Sequence, residues 1–405
     1  MESSFKFIDL FCGIGGFHQA MEDLGGECVF ASDIDADCRK TYKNNYGLEP
    51  VGDITKVNEA DIPAHDVLCA GFPCQAFSVA GKRLGFEDET KGTLFFDVMR
   101  IMKYHKPKYA LLENVRNLAS HDNGKTWRVI RKSIKSIGYN IIEEPVIFSP
   151  HYIGIPQHRE RVYIMCVRND IGTVDSFVFN AENAPQCSID TILSKDSEIE
   201  NIERYRLSDD ILQLIDIWQE FITNIKCEKL PSFPVCAEYL EPELDKSVFK
   251  DCYEWKVDVI NKNRKLYEEN SEFIDGWLGR ARKCPAFFGA KARMEWQAGD
   301  TATPNIWDNI IQFRPSGMRV KVGTYFPALV AITQTSIVPR IKRKLTVREC
   351  CRLQSFPDSF IPDEREAQAY KQLGNSVNVE VTKLFAKFMF GYEDVKKMYS
   401  TPVLF

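Results

Sequence analysis

Phe5-Lys6-Phe7-Ile8-Asp9-Leu10-Phe11-Cys12-Gly13-Ile14-Gly15-Gly16-Phe17 reads as an apolar strand that ends in a glycine turn and enters a helix. Glycines at such a turn let a ligand approach the backbone and let the helix pack close to the strand. His18 stands where the third glycine of G-x-G-x-x-G would fall, which weakens a dinucleotide-binding reading. An acid, Asp33, ends the next apolar stretch about twenty residues on, the spacing at which a carboxylate meets a ribose hydroxyl.

Outward from this turn the chain keeps a βα rhythm. Strands are expected at Phe5 to Phe11, Cys28 to Ser32, Val67 to Ala70, Tyr109 to Glu113, Asn140 to Phe148 and Val162 to Val167. Helices are expected at Gly16 to Leu24, Asp35 to Tyr46, Leu94 to Tyr104 and Gly124 to Ile137. That alternation predicts an α/β fold with a mostly parallel, doubly wound sheet and helices on both faces. The last two strands, adjacent in sequence, predict an antiparallel hairpin-like edge.

After Arg168 the rhythm stops. Ile211, Leu214, Ile215, Trp218, Phe221, Ile222 and Ile225 recur at helical spacing behind Ser208-Asp209-Asp210, and a second helix is expected from Ser247 to Tyr267. From Trp277 to Val338 the composition shifts to Gly, Pro, Arg and aromatics, which predicts a loop-rich second domain. The helix from Val379 to Phe390 is expected in the core, against the first domain.

The 405 residues carry a formal charge of −5, yet the charge is unevenly placed. Between Arg280 and Cys350 there are thirteen Lys and Arg against Glu295, Asp300, Asp308 and Glu349. A one-sided basic region is the footprint of phosphate contact, though a solvated basic face has the same composition. No apolar run approaches the ~18 residues of a membrane span, and Met1-Glu2-Ser3-Ser4-Phe5 lacks a signal-peptide layout. The 13 cysteines are scattered, with no C-x-x-C pair and no zinc spacing, so reduced thiols in the cytoplasm are expected and no metal.

One of those cysteines has chemical surroundings. Gly71-Phe72-Pro73-Cys74-Gln75 leaves the carboxyl end of the Val67–Ala70 strand, where ligands bind in open α/β sheets. A free cysteine is more usually a small buried hydrophobe, so the motifs around Cys74 decide its reading. They are Glu113-Asn114-Val115, Gln157-His158-Arg159-Glu160-Arg161, Arg343-Lys344-Leu345-Thr346-Val347-Arg348-Glu349 and Gly374-Asn375-Ser376-Val377.

In this order these blocks resemble the DNA cytosine-C5 methyltransferases, particularly the bacterial enzymes of restriction–modification systems. The resemblance covers roughly residues 5 to 168 and 342 to 380. It implies a Rossmann-like S-adenosylmethionine-binding catalytic domain at 1–170, completed by 370–400, and a target-recognition domain at 171–345 with an acidic helical segment about 194–275. Cys74 matches the family nucleophile and Glu113 the carboxyl group that binds cytosine N3 and its amine, with Asn114 holding the loop. Arg161 and Arg159 resemble the arginines that orient base and acid, and Gln157 is read as a loop-holding residue.

For the cofactor, S-adenosylmethionine with S-adenosylhomocysteine as product, the resemblance points to Phe11, Gly13, Ile14, Gly15, Asp33, Ile34, Asp53, Ile54, Pro73, Leu94, Asn375 and Ser376. This chain has Asp33-Ile34 where the family often has Glu then Trp, and Cys12 where alanine is common. Gln75, Lys82 and Arg83, in a Gly- and Lys-bearing stretch from Gln75 to Gly92 that matches the family's mobile lid, and Arg314 and Arg319 in the basic region are expected on double-stranded DNA. A monomer in the bacterial cytoplasm, associated with the nucleoid and partnered by a cognate restriction endonuclease, completes the expectation. Two other readings are a tRNA methyltransferase on the same core and a non-catalytic DNA-binding relative. The long basic second domain argues against the first, and the joint presence of Cys74, Glu113 and Arg161 against the second.

Overall fold

The computed structural model describes residues 5–73, 94–250, 252–300, 304–331 and 335–400. They divide into two units: Met1–Cys187 with Ala328–Thr333 and Cys350–Phe405, and Ser188–Pro327 with Gln334–Glu349. Helices in chain order are α1 (Gly16–Glu22), α2 (Ala36–Tyr46), α3 (Leu94–His105), α4 (Asn117–Ser120), α5 (Lys125–Ser136), α6 (Asp209–Asn224), α7 (Glu254–Ala281), α8 (Val347–Leu353), α9 (Glu366–Asn375), α10 (Val379–Phe390) and α11 (Glu393–Tyr399).

In the first unit, β1 (Phe5–Leu10), β2 (Gly26–Ser32), β3 (Val67–Gly71), β4 (Tyr109–Val115), β5 (Tyr139–Ile141), β6 (Val146–Phe148) and β8 (Arg161–Arg168) share one sheet. The two-residue β7 (Gln157–His158) stands outside it. The order is β2-β1-β3-β4-β8-β5, with β6 also paired to β8. β1 to β4 pair in parallel, whereas β8 runs against β4, β5 and β6. Successive side chains of a strand point to opposite faces, and here both faces are buried. Val67 and Cys69 enter a core with Phe17, Met21 and Phe385; Leu68 and Ala70 enter another with Ile101, Met102 and Ile130. That is why the strands read as unbroken apolar runs.

Local signals set the helix ends. The Asp35 carboxylate accepts from the backbone N–H of Asp37 and Cys38 to start α2, and Gly47 at φ 72° ends it. Asn378 caps α10 through Val381 N–H, and Gly391 at φ 84° closes it. Phe385 of α10 is fully buried and stacks on Tyr163 at 4.4 Å. Truncating such a side chain to alanine typically costs about 3–5 kcal/mol.

Two expectations need correction and a third needs extending. The stretch from Asn140 to Phe148 pairs antiparallel with β8 at that edge as expected, but it is two short strands, β5 and β6, rather than one. The first unit runs past residue 170, because Phe177 stacks on Tyr399 at 4.8 Å and Phe179 meets Phe148 at 5.2 Å. The loop-rich second unit also holds a sheet that its composition did not suggest. Val235–Cys236, Arg293–Gln297, Ile310–Arg314, Gly317–Lys321, Ile337–Val338 and Arg343–Lys344 form a six-stranded sheet.

One face of that sheet, with Met294, Trp296, Ile311, Met318 and Val320, packs on Trp218 of α6 and Trp277 of α7. α7 starts later and ends later than the spacing predicts, and it kinks at Asn270. There the amide side chain bonds Lys226 N–H and carbonyl as well as the Leu266 carbonyl. Arg343 and Glu349, both fully buried, form a bidentate pair at 2.7 and 2.9 Å. Arg343 also bonds Asp196, and Glu349 accepts from Thr346 and Ser194 N–H, so the 343–349 motif knits this unit together.

Candidate active site

The site is assembled at the carboxyl ends of the parallel strands. Gly71, the last residue of β3, pairs with Glu113 near the end of β4, and Val115 pairs with Arg161 at the start of β8. Antiparallel β8 thus begins where β4 ends, which brings Arg161 to Glu113: Nε lies 3.0 Å from Oε1. Burial pushes the Glu113 carboxyl above its ordinary range, while Arg161 and then Arg159 pull it back. The Asn114 side chain donates to the Phe72 carbonyl at 2.7 Å and accepts from Val115 N–H, tying the exit of β3 to the end of β4. Pro73 follows, exposed. Cys74, Gln75, Lys82, Arg83 and the rest of the expected lid lie outside the described residues.

Arg159 has partners the sequence did not suggest. Its buried guanidinium donates to the carbonyls of Leu329, Gly374 and Ser376 at 2.8–3.1 Å. Burial and the neighbouring Arg161 lower its pKa to about 9, so it stays protonated at neutral pH. Glu160 pairs with Arg116 and not with Arg159. Among the described residues the buried Gln157 amide makes no side-chain hydrogen bond, so the loop-holding role expected of it falls instead to Ser149, whose hydroxyl accepts from Arg159 N–H.

On the other flank lies the glycine turn. Phe11, Gly13 and Gly15 have φ of 57°, 52° and 89°. Gly15 can carry no side chain, because a Cβ there would stand 2.2 Å from the ring of Tyr46. A Cβ on Gly16 would meet Val377 at 2.7 Å and the Ser376 hydroxyl at 2.9 Å, so the far end of the chain seats directly on the turn. Asp33 accepts from Gly13 N–H and Asp35 N–H, both at 2.8 Å, and burial raises its pKa despite those donors. Ile34 beside it is 77% exposed, whereas Ile14 and Ile54 are buried and Leu94 is half-buried. Asp53 caps a short 3-10 turn through Thr55 N–H and hydroxyl. Asn375 is exposed and Ser376 buried.

This donor set fits an adenosine-bearing cofactor: an exposed aliphatic platform, a carboxylate with lone pairs left over, and a backbone turn open to close approach.

Sequence reasoning missed the scaffold behind the turn. Tyr46 donates to the Gly15 carbonyl at 3.1 Å and stacks on His18 at 3.8 Å; His18 Nδ1 meets the Tyr42 hydroxyl at 2.6 Å. Burial lowers the His18 pKa to about 4, so the ring is neutral. The other side of α2 holds the C-terminal segment: Thr41 donates to Gln372 at 3.2 Å, and Asn45 bonds both the N–H and carbonyl of Ile361. Tyr42 and Tyr46, four apart on a helix, were the available signal.

The comparisons with known proteins agree with this geometry. Residues 5–390 match the family model described as C-5 cytosine-specific DNA methylase. The chain is 34% identical over 382 residues to the Type II methyltransferase M.HhaI of Haemophilus parahaemolyticus, covering 94% of this chain and 93% of that protein. It is also 34% identical to the Type II methyltransferase M.HpaII of Haemophilus parainfluenzae, over 96% of this chain and 89% of that one. A DNMT2 mutant from Spodoptera frugiperda shares the fold at TM-score 0.53 and 18% identity, covering 96% of this chain and 100% of its own. No described helix is long and apolar enough to cross a membrane. With its site motifs convergent at the strand ends and its relatives matched along nearly their whole length, the chain belongs to the C-5 cytosine-specific DNA methylases and is a DNA (cytosine-5-)-methyltransferase.

Proposed function

We propose that the protein methylates carbon 5 of a cytosine flipped out of a specific double-stranded DNA sequence, using Cys74 as nucleophile and S-adenosylmethionine as methyl source. The observation that carries this reading is the pair of buried Glu113 with half-buried Arg161 beside the exit of β3, whose last residue, Gly71, is followed by Phe72 and then Pro73-Cys74. Carbon 5 of cytosine is a weak nucleophile. Addition of the Cys74 thiolate to carbon 6 forms a C–S bond and moves the ring's electron pair toward carbon 5, making it an enamine carbon. Glu113, whose pKa is raised by burial, keeps a proton within reach of N3 as negative charge would build there. Arg161 fixes the carboxyl and limits how far its pKa rises.

S-adenosylmethionine supplies, when bound, the electrophilic methyl group. Asp33 would hold the ribose, Ile34 and Phe11 would flank adenine, and Asp53 with Ile54 would meet its amine edge. Gly13, Ile14 and Gly15 would line the backbone side, with Pro73, Leu94, Asn375 and Ser376 closing the pocket. After transfer, loss of the carbon 5 proton expels the Cys74 thiolate and restores the aromatic ring. A base inside a duplex is out of reach, so it must be extruded first. Gln75, Lys82 and Arg83 would contact the DNA from the lid, and Arg314 and Arg319 from the second unit.

One copy suffices per methylated strand, so the enzyme would act as a monomer at the bacterial nucleoid, with a cognate endonuclease as its system partner. The test is transfer of labelled methyl from S-adenosylmethionine to duplex DNA and, side by side, to tRNA. Cys74→Ser should abolish transfer while S-adenosylhomocysteine still binds. Full activity in that variant overturns the nucleophile, and transfer to tRNA alone overturns the substrate.

A further inference from the structure

The second unit's sheet has a second face, opposite its tryptophan core, that is partly buried and carries polar groups. Strand register puts Glu295, Arg319 and the buried Gln312 in one row across three strands, and Gln297, Lys321 and the buried Ile310 in the next, all opposite the Met318–Val320 side. Arg314 lies beside them on the Gln312 strand.

The two arginines of this face are held in different ways. Arg319 Nε donates to Glu295 Oε2 at 2.9 Å, and Nη2 makes a long 3.3 Å bond to Ser316. Among the described residues its Nη1 carries no hydrogen bond. The other Glu295 oxygen accepts from Gln297. Arg314 has a neutral partner instead, the Gln312 carbonyl at 3.2 Å. The pKa values of Arg314 and Lys321 are lowered, first by desolvation and then by the charge of Arg319. Arg314 and Lys321 thus crowd Arg319, the cation that Glu295 holds, an arrangement that external acceptors would relieve.

We propose that Glu295 is a positioning residue that fixes the guanidinium plane of Arg319, so that its outer N–H groups read the O6 and N7 acceptors of one guanine in the major groove. Bidentate Arg–guanine contact needs a fixed plane, and a carboxylate gripping Nε supplies it while leaving the Nη edge for the base. Arg319 is a third exposed while Glu295 beneath it is more deeply set, so the carboxylate holds the guanidinium from below and leaves its outer edge open. Arg314 and Lys321, without a carboxylate of their own, suit the phosphates alongside. The proposal rests on the duplex-DNA reading above.

The experiment is selection of duplexes from a randomised pool by the full-length protein, followed by sequencing. The wild type should enrich a motif containing guanine. Glu295→Gln and Arg319→Ala should relax one and the same guanine column, by roughly five- to 150-fold in discrimination. Arg319→Lys, which keeps the charge without the fork, should fail to restore that column. With wild-type protein, 7-deazaguanine at that position should weaken binding, and Glu295→Gln should show much less further loss from it. A uniform fall across all columns, with a shallower salt dependence for Arg319→Ala, means phosphate contact and overturns the proposal. So does a Glu295→Gln variant with an unchanged motif. A wild type that enriches no duplex at all overturns the DNA reading beneath it.

Discussion

Val67 and Cys69 face one buried core and Leu68 and Ala70 another, whereas Met318 and Val320 face a core and Arg319 and Lys321 face away from it. The first sheet, covered on both faces, has only its strand ends left for polar chemistry. Glu113, Arg161, Asp33 and the glycine turn all stand there. The second sheet packs one face on its tryptophan core and carries on the other a partly buried broadside of charged and amide groups in register. Two ways of burying a sheet thus suit two tasks: a small, desolvated reaction site and a wide, hydrogen-bonding surface.

The most severe test of that division is Glu113→Ala. It should lower single-turnover methyl transfer by about 10²- to 10⁴-fold while leaving the selected DNA motif unchanged. A variant that kept its rate but lost its motif would invert the assignment. Next in size is Glu349→Ala, which removes the bidentate partner of the buried Arg343 in the second unit and leaves it Asp196 as its carboxylate. A loss of about 3–5 kcal/mol is expected there. Tryptophan fluorescence in urea can follow it, because five of the six tryptophans lie in that unit. Binding of S-adenosylhomocysteine, a property of the first unit, should change far less.

Arg161→Ala sharpens the comparison through pH. The folded-state pKa of Glu113 is above its ordinary value, so the native protein keeps that proton longer than the unfolded chain does. Its contribution therefore lowers stability as pH rises through the interval between the two values. Arg161 opposes the rise, so its removal should extend that interval upward, visible as a steeper fall in denaturant stability that Glu113→Gln abolishes. The smallest effect is Tyr46→Phe. It removes one hydrogen bond to the Gly15 carbonyl, worth about 0.5–1.5 kcal/mol, and should weaken S-adenosylhomocysteine binding roughly two- to tenfold by calorimetry. An unchanged affinity would remove the scaffold behind the turn from the account.

The strand ends were legible because their chemistry needs particular residue types: an acid after β2, a Glu-Asn after β4, arginines opening β8. The doubly buried strands were legible as apolar runs. The second sheet was hidden because its strands are only two to five residues long, so the alternation in Arg293–Gln297 and Gly317–Lys321 is too brief to stand out from the loops around it. The anchoring of Arg159 was hidden for a different reason. Its partners are backbone carbonyls, which leave no mark in a sequence. The Glu295–Arg319 pairing was equally invisible, since it exists only once strand register is fixed.

The contact between Gly16 and Val377 gives the protein a built-in order of assembly. A ribosome delivers the turn, Glu113 and Arg161 well before Ser376 and Val377, which seat on the turn. A nascent or prematurely terminated chain would carry every acid and arginine of the reaction without the wall that Ser376 and Val377 provide. The two sides of the pocket are thus joined only when both arms of the first unit are present.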